Sequence, residues 1–469
     1  MRRELQKIFQ GFIAFTGLSL AAAAAQAGGA FSTTPAGQPV LWQGPVVWRA
    51  ESGPIKGNTS ADGGDTGGGG GGGCALTKSI EVNNTDAVQI VRDAFAAWDN
   101  LPNASIDIQE GPSLGVDVNF DNVENFWVGS FFGGSTPSNV TAAGCYDSDP
   151  NTECLNSVIF DSSNVPERSI VDAIQGQCAR FSILAFAAIL PQQANDAQGT
   201  ITSPILKSSQ MVISGACLQP VIAPDPNCDN PATSDNEGAC PAGGITLDEL
   251  KGTVVHEVGH YLGLDHTLTN KQNYIDCQTG AGGCVLENIP TMIGLFVPGA
   301  NLNTLHYDDK VTFSRYYPSA NFSSVTCAIQ GSALNSSSSD DARCMEVVAS
   351  KNGDPALTAS FVAGSEASRF TQGIADVSGN NGKTQGNCNA GSPAACGAYS
   401  IRGLEPGNYT MYLQNFSDNG AGSGLSTFHL EPCDPPLTDA AFGDTKGTPR
   451  EVNVVCNAGA TTPQNLNAN

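Results

Sequence analysis

The apolar side chains Val88, Val91, Phe95 and Trp98 recur at spacings of three and four. They fall on one face, which predicts an amphipathic helix. Thr85 or Asp86 is placed to cap its start, and Asn100 with Pro102 to close it. Elsewhere the period is two. Pro39 to Ile55 alternates around Trp42, Val46, Val47 and Trp48 and predicts a first strand. Ile106 with Ile108, Ser157 to Asp161, and Gln210 to Ser214 predict three more. Ile183 to Leu190 is apolar throughout, and periodicity cannot assign it to helix or strand. Thr246 and Glu249 form a capping box ahead of Leu250, Val254 and Val258, so a second helix begins there.

After Pro318 the pattern changes. From Cys327 onward there is no helical period; short apolar runs alternate with Gly, Ser and Asn turns, as in an all-β sandwich. A domain boundary is therefore expected near 319–325, with the fragment before it able to fold by itself. Residues 458–469 read as a disordered tail, and the glycine run Gly63 to Gly73 as a flexible loop.

Composition narrows the function classes. The chain has 469 residues, enough for two or three domains. Its net charge of −24 argues against nucleic acid or an anionic membrane surface as partner. Residues 1–27 read as a signal peptide: Arg2, Arg3 and Lys7 precede an apolar stretch from Ile8 to Ala25, and Ala25-Gln26-Ala27 suits cleavage. The expectation is a secreted, extracellular protein with no membrane insertion once the leader is removed. Fifteen cysteines then imply disulfides, with an odd one over. Near neighbours are Cys145/Cys154, Cys217/Cys228/Cys240, Cys277/Cys284 and Cys388/Cys396, but spacing leaves the connectivity open. Asp147, Asp149 and Asn151 alternate in a loop that offers calcium ligands; a solvated turn closed by Cys145 and Cys154 is the simpler reading.

The chemistry concentrates in residues 256–266, His-Glu-Val-Gly-His-Tyr-Leu-Gly-Leu-Asp-His. On a helix, His256 and His260 project from one face and can share one ion. Gly263 can take the left-handed conformation that ends the helix, and the returning chain delivers His266. Three protein ligands leave a fourth position open, as a catalytic zinc site requires. Glu257 is the candidate general base. His306 and His429 stand alone and read as ordinary histidines.

This segment resembles the HExxHxxGxxH pattern of the metzincin zinc endopeptidases. Pro290-Thr291-Met292-Ile293-Gly294 looks like their methionine turn beneath the metal, here after a long insertion that contains Cys277 and Cys284. The matrixin branch is the nearest in look: Leu305-His306-Tyr307-Asp308-Asp309 is similar to the start of its C-terminal helix, Tyr316-Tyr317-Pro318 to its end, and Ala94-Phe95-Ala96-Ala97-Trp98 to its first helix. The resemblance implies an α/β (α+β) zincin-type catalytic domain over residues 40–318 with inserted loops. It implies one catalytic zinc on His256, His260 and His266, with Glu257 activating a zinc-bound water. The expected activity is hydrolysis of extracellular proteins or peptides. The expected docking site is an extended substrate on an edge strand, here within Ile201 to Ser214. The chain departs from the matrixin pattern in three ways. No histidine precedes His256, so a second, structural zinc is not expected. Too few residues follow the leader for a folded prodomain. Cys74 is expected in a disulfide, with inhibition of the zinc as the alternative. Within the all-β region, 325–457, Ala398 to Tyr409 resembles the strand-turn-strand signature of carboxypeptidase-regulatory-like sandwiches. The competing function is a non-enzymatic secreted binding protein that works through this sandwich.

Overall fold

The computed structural model describes residues 30, 38–56, 81–127, 155–162, 169–171, 183–193, 201–218, 244–335 apart from 268, 281 and 295, then 345–363, 397–415 and 451–468. The leader, the glycine run, Cys74, the Asp147–Asn151 loop, Cys228, Cys240, Cys388, Cys396 and His429 lie outside these residues.

The protein is mixed α/β, with several sheets. The first half is built from β1 (Val46–Ala50), α1 (Asn84–Asp99), β2 (Ile108–Glu110), β3 (Ser157–Asp161), β4 (Ala185–Gln193) and β5 (Ile201–Ser214). The strands form one sheet in the order β2-β1-β3-β5-β4; all pairings are parallel except β4 with β5. Helix α1 packs Ala87, Ile90, Val91, Ala94, Phe95 and Trp98 against this sheet. Phe95 stacks on Trp48 of β1 at 5.1 Å. Each fully buried side chain of Phe or Val size contributes about 1.5–3 kcal/mol. The helix cap is Asn83, whose side chain accepts the Asp86 amide, and not Thr85 or Asp86. Asn100 closes the helix as expected.

The ambiguous run Ile183 to Leu190 leads into strand β4, which holds it from Ala185 onward. Both of its faces are covered, which is why it does not alternate: Leu184, Ala185 and Ala187 belong to the main core, Ile183, Phe186 and Ala188 to a second cluster around Trp127. The expected substrate strand within Ile201 to Ser214 needs correction. That segment is β5, which pairs with β4 along its length and with β3 at Met211–Ser214; among the described residues the last strand on this side of the sheet is β4.

Next come α2 (Leu247–Tyr261), α3 (Lys271–Thr279), α4 (Tyr307–Tyr316) and the short α5 (Phe322–Val325). Trp98 of α1 donates its indole N–H to the Val255 carbonyl of α2 at 2.9 Å. The insertion after α2 carries α3 and the disulfide Cys277–Cys284, and it has a small core of its own around Tyr274, Ile289 and Val297.

The all-β region contains β6 (Cys327–Asn335), β7 (Met345–Lys351), β8 (Thr358–Val362), β9 (Ala398–Leu404), β10 (Gly407–Asn415), β11 (Val452–Cys456), β12 (Thr461–Pro463) and β13 (Leu466–Ala468). One sheet runs β11-β10-β7-β8; the other has β6 flanked by β9 on one side and β12 and β13 on the other. Their facing residues make one core, and the Cys327–Cys456 disulfide ties β6 to β11 across it.

One sequence expectation fails here. The last residues are not a disordered tail, because β12 and β13 pair in parallel with β6. Gly331 permits this: a β-carbon there would meet the Gln464 carbonyl oxygen at 1.7 Å. The segment is Asn- and Thr-rich, so backbone pairing holds it and no apolar period announces it. The change from helices to strands does fall near 319–325, but the parts on either side of it pack together. Tyr307 and Val311 of α4 sit in the sandwich core, and Arg315 lies over the Phe361 ring at 4.8 Å. Among the described residues no helix is long and apolar enough to cross a membrane. The Cys277–Cys284 and Cys327–Cys456 disulfides are compatible with an extracellular setting.

Candidate metal centre

The centre is built on α2. Thr246 accepts the Glu249 amide and Glu249 reaches back to the Thr246 amide, so the capping box forms. The helix ends at Leu262, Gly263 takes φ +92°, and the chain returns His266 to the helix face. The Val40 carbonyl lies 3.3 Å from where a Gly263 β-carbon would stand, so the turn is tight as well as left-handed.

His256, His260 and His266 converge: one ring nitrogen from each lies within 4.8 Å of the other two. The ring Nδ1 of His256 faces the Thr291 carbonyl at 2.7 Å, and that of His260 faces the Leu264 carbonyl at 2.8 Å. A carbonyl accepts only, so both rings are protonated at Nδ1 and present a bare Nε2 to the cluster. His266 Nε2 stands 3.0 Å from His260 Nε2. Its Nδ1 is buried and has no hydrogen-bond partner among the described residues. Burial lowers the pKa of all three; neighbouring imidazoles add to this for His260, pushed down to about 3, and for His266. Three neutral imidazoles with two fixed tautomers suit a zinc ion.

Glu257 follows His256 on α2 and is buried. Burial lifts its carboxyl to about 8, partly offset by a hydrogen bond from the Ala187 amide of β4. A dication at the triad would favour the carboxylate again. The Ala187 bond also fixes which groups of β4 point outward. Leu184 bonds inward to Ser214, so by alternation Ala185, Ala187 and Ile189 turn their backbone groups away from β5.

Met292 packs against helix α2 at Gly259. Its sulfur packs where a β-carbon on Gly259 would stand. Asp309 holds this turn by accepting the amides of Thr291 and Met292, both at 3.0 Å, and of His306 at 2.8 Å. His306 is thus the cap of α4. Sequence reasoning noted Asp308 and Asp309 as part of a motif but gave them no task, and it missed Ala187, Thr267, Thr269 and Ser360. Nothing local marks these residues, because their roles depend on contacts between distant segments.

No family model matches the chain, and no curated protein matches it. Among solved structures, a candidate carbohydrate-binding protein from Bacteroides uniformis is similar at 10% identity over 30% of this chain, with a TM-score of 0.15. The aligned part spans 40% of that protein. A similarity this slight carries neither fold nor function.

Proposed function

We propose that the chain is an exported zinc metalloendopeptidase of the metzincin kind, closest in pattern to the matrixins. The observation that carries this reading is the convergence of His256, His260 and His266, with Glu257 following His256 on a helix whose face meets strand β4. A zinc ion held by the three imidazoles would polarise a scissile carbonyl and make a water more acidic. Glu257 takes the proton from the attacking water and passes it to the leaving amine. The outward backbone groups of Ala185 and Ile189 pair an extended peptide across the helix face, giving affinity with little demand on its sequence. Met292 and Gly259 keep the floor of the cleft rigid.

The purified chain should contain one zinc per molecule and cleave casein, with cleavage lost in chelator and restored by zinc. Metal bound without any peptide hydrolysis would favour the binding-protein reading. A chain that takes up no metal would sink both the metal centre and the protease.

A further inference from the structure

The three histidines are not held alike. His256 and His260 are each anchored through the ring, by the Thr291 and Leu264 carbonyls. His266 has no such anchor, since its buried Nδ1 lacks a partner among the described residues. Its position must come from the backbone on either side. Asp265 accepts the His266 amide at 2.8 Å, and the next residue, Thr267, donates its amide to the Met292 carbonyl at 2.8 Å.

Thr267 then enters a buried ring of hydroxyls. Its side chain donates to the Asp308 carboxyl. Its oxygen is therefore left to accept, and Thr269 Oγ1 lies 2.9 Å away. Thr269 Oγ1 in turn lies 2.6 Å from Ser360 Oγ, on strand β8 of the sandwich. Ser360 closes the ring by donating its amide to Asp308 at 2.7 Å. Thr267, Thr269, Ser360 and Asp308 are all fully buried. The Thr267 and Thr269 hydroxyls each donate and accept, and the Ser360 hydroxyl donates to Thr269, so the ring has one direction and is rigid. The adjacent carboxylates of α4 thus divide the work: Asp309 reaches His256 through Thr291, and Asp308 reaches His266 through Thr267.

We infer that Ser360 and Thr269 are positioning residues for the third metal ligand, so that the β-sandwich is a working part of the metal centre. This rests on the metal reading above. Partners beyond the ligands typically change metal affinity by ~10–100-fold when removed. The test uses the full-length chain, with zinc affinity by chelator competition and the visible spectrum of the cobalt-substituted protein. Thr269→Val keeps the side-chain volume and breaks the ring; Thr269→Ser keeps the hydroxyl; Ser360→Ala opens the ring from the sandwich side. Thr269→Val and Ser360→Ala should each weaken zinc by about tenfold and alter the cobalt spectrum, while Thr269→Ser stays near wild type. Wild-type zinc affinity and cobalt spectrum in both ring-breaking variants overturn the inference. So does a Thr269→Ser variant as weak as Thr269→Val, because packing and not the hydroxyl would then be responsible. If the wild-type chain itself takes up neither zinc nor cobalt, the metal reading fails first and this inference falls with it.

Discussion

A β-carbon on Gly259 would stand 2.3 Å from the sulfur of Met292 and 2.9 Å from the Trp98 ring. The α2 position next to His260 is therefore glycine because Met292 and Trp98 of α1 both press on it. Gly259→Ala should force Met292 down and push on Trp98. Overpacking of this kind costs about 1–3 kcal/mol. The expected result is a lower unfolding temperature together with weaker zinc binding, since His260 moves with its neighbour. Thermal unfolding and chelator competition check this; an unchanged melting temperature would mean that the floor of the site is softer than its geometry suggests.

Glu257 and His260 should fail in different ways. Glu257→Gln removes the proton carrier and leaves three imidazoles, so zinc should stay while casein cleavage falls by roughly 10²–10⁴-fold. His260→Ala leaves two ligands and should lose zinc and cleavage together. Zinc content and cleavage, measured on both variants, separate the roles. A Glu257→Gln protein as active as wild type would refute the assignment of the base.

Helices α1 and α2 and the spacing of the triad were legible because their information is local. The capping box Thr246/Glu249, the 3.6 period of α1 and the His256–His266 spacing each fit within about a dozen residues. Strand β4 was ambiguous because two cores cover it, and burial on both faces erases alternation. The final strands were invisible because polar residues form them and Gly331 makes room for them from 130 residues away. The wiring of the site was unreadable for the same reason. Ser360 looks like any strand serine until β8 lies against the loop that follows His266.

Asp308 should make stability depend on pH. Burial chiefly, with the like charges of Asp309 and Glu346, lifts its carboxyl from 3.8 to about 7, against donors on Thr267 and Ser360. The folded state therefore binds the proton more tightly than the unfolded chain between about pH 4 and 7. Stability from this group is full below that window and is lost as pH rises through it, by roughly 2–4 kcal/mol. Asp308→Asn keeps an acceptor for the Ser360 amide and cannot ionise. Urea midpoints at pH 5 and pH 8 should differ less for Asp308→Asn than for wild type; an equal difference in both would place the titration elsewhere.

The last prediction concerns the residues just before the apparent boundary. Tyr307 and Val311 lie on α4, yet they complete the sandwich core, and the Tyr307 hydroxyl meets that of Tyr409 at 2.7 Å while accepting the Glu405 amide at 2.9 Å. A fragment of residues 28–320 strips both side chains of their cover, at a cost of about 1.5–3 kcal/mol each. It also leaves Asp308 and Thr269 without Ser360. The fragment should thus aggregate and bind zinc more weakly than the full chain. These two effects have different origins and can be parted. Tyr307→Ser with Val311→Thr, made in the fragment, removes the exposed apolar patch and should restore solubility. It returns no partner to Asp308 or Thr269, so zinc affinity should stay low. Light scattering reads the first effect and chelator competition the second. Full zinc affinity in a soluble fragment would mean that the sandwich is a separable module and that the composition change near residue 320 marks a true seam.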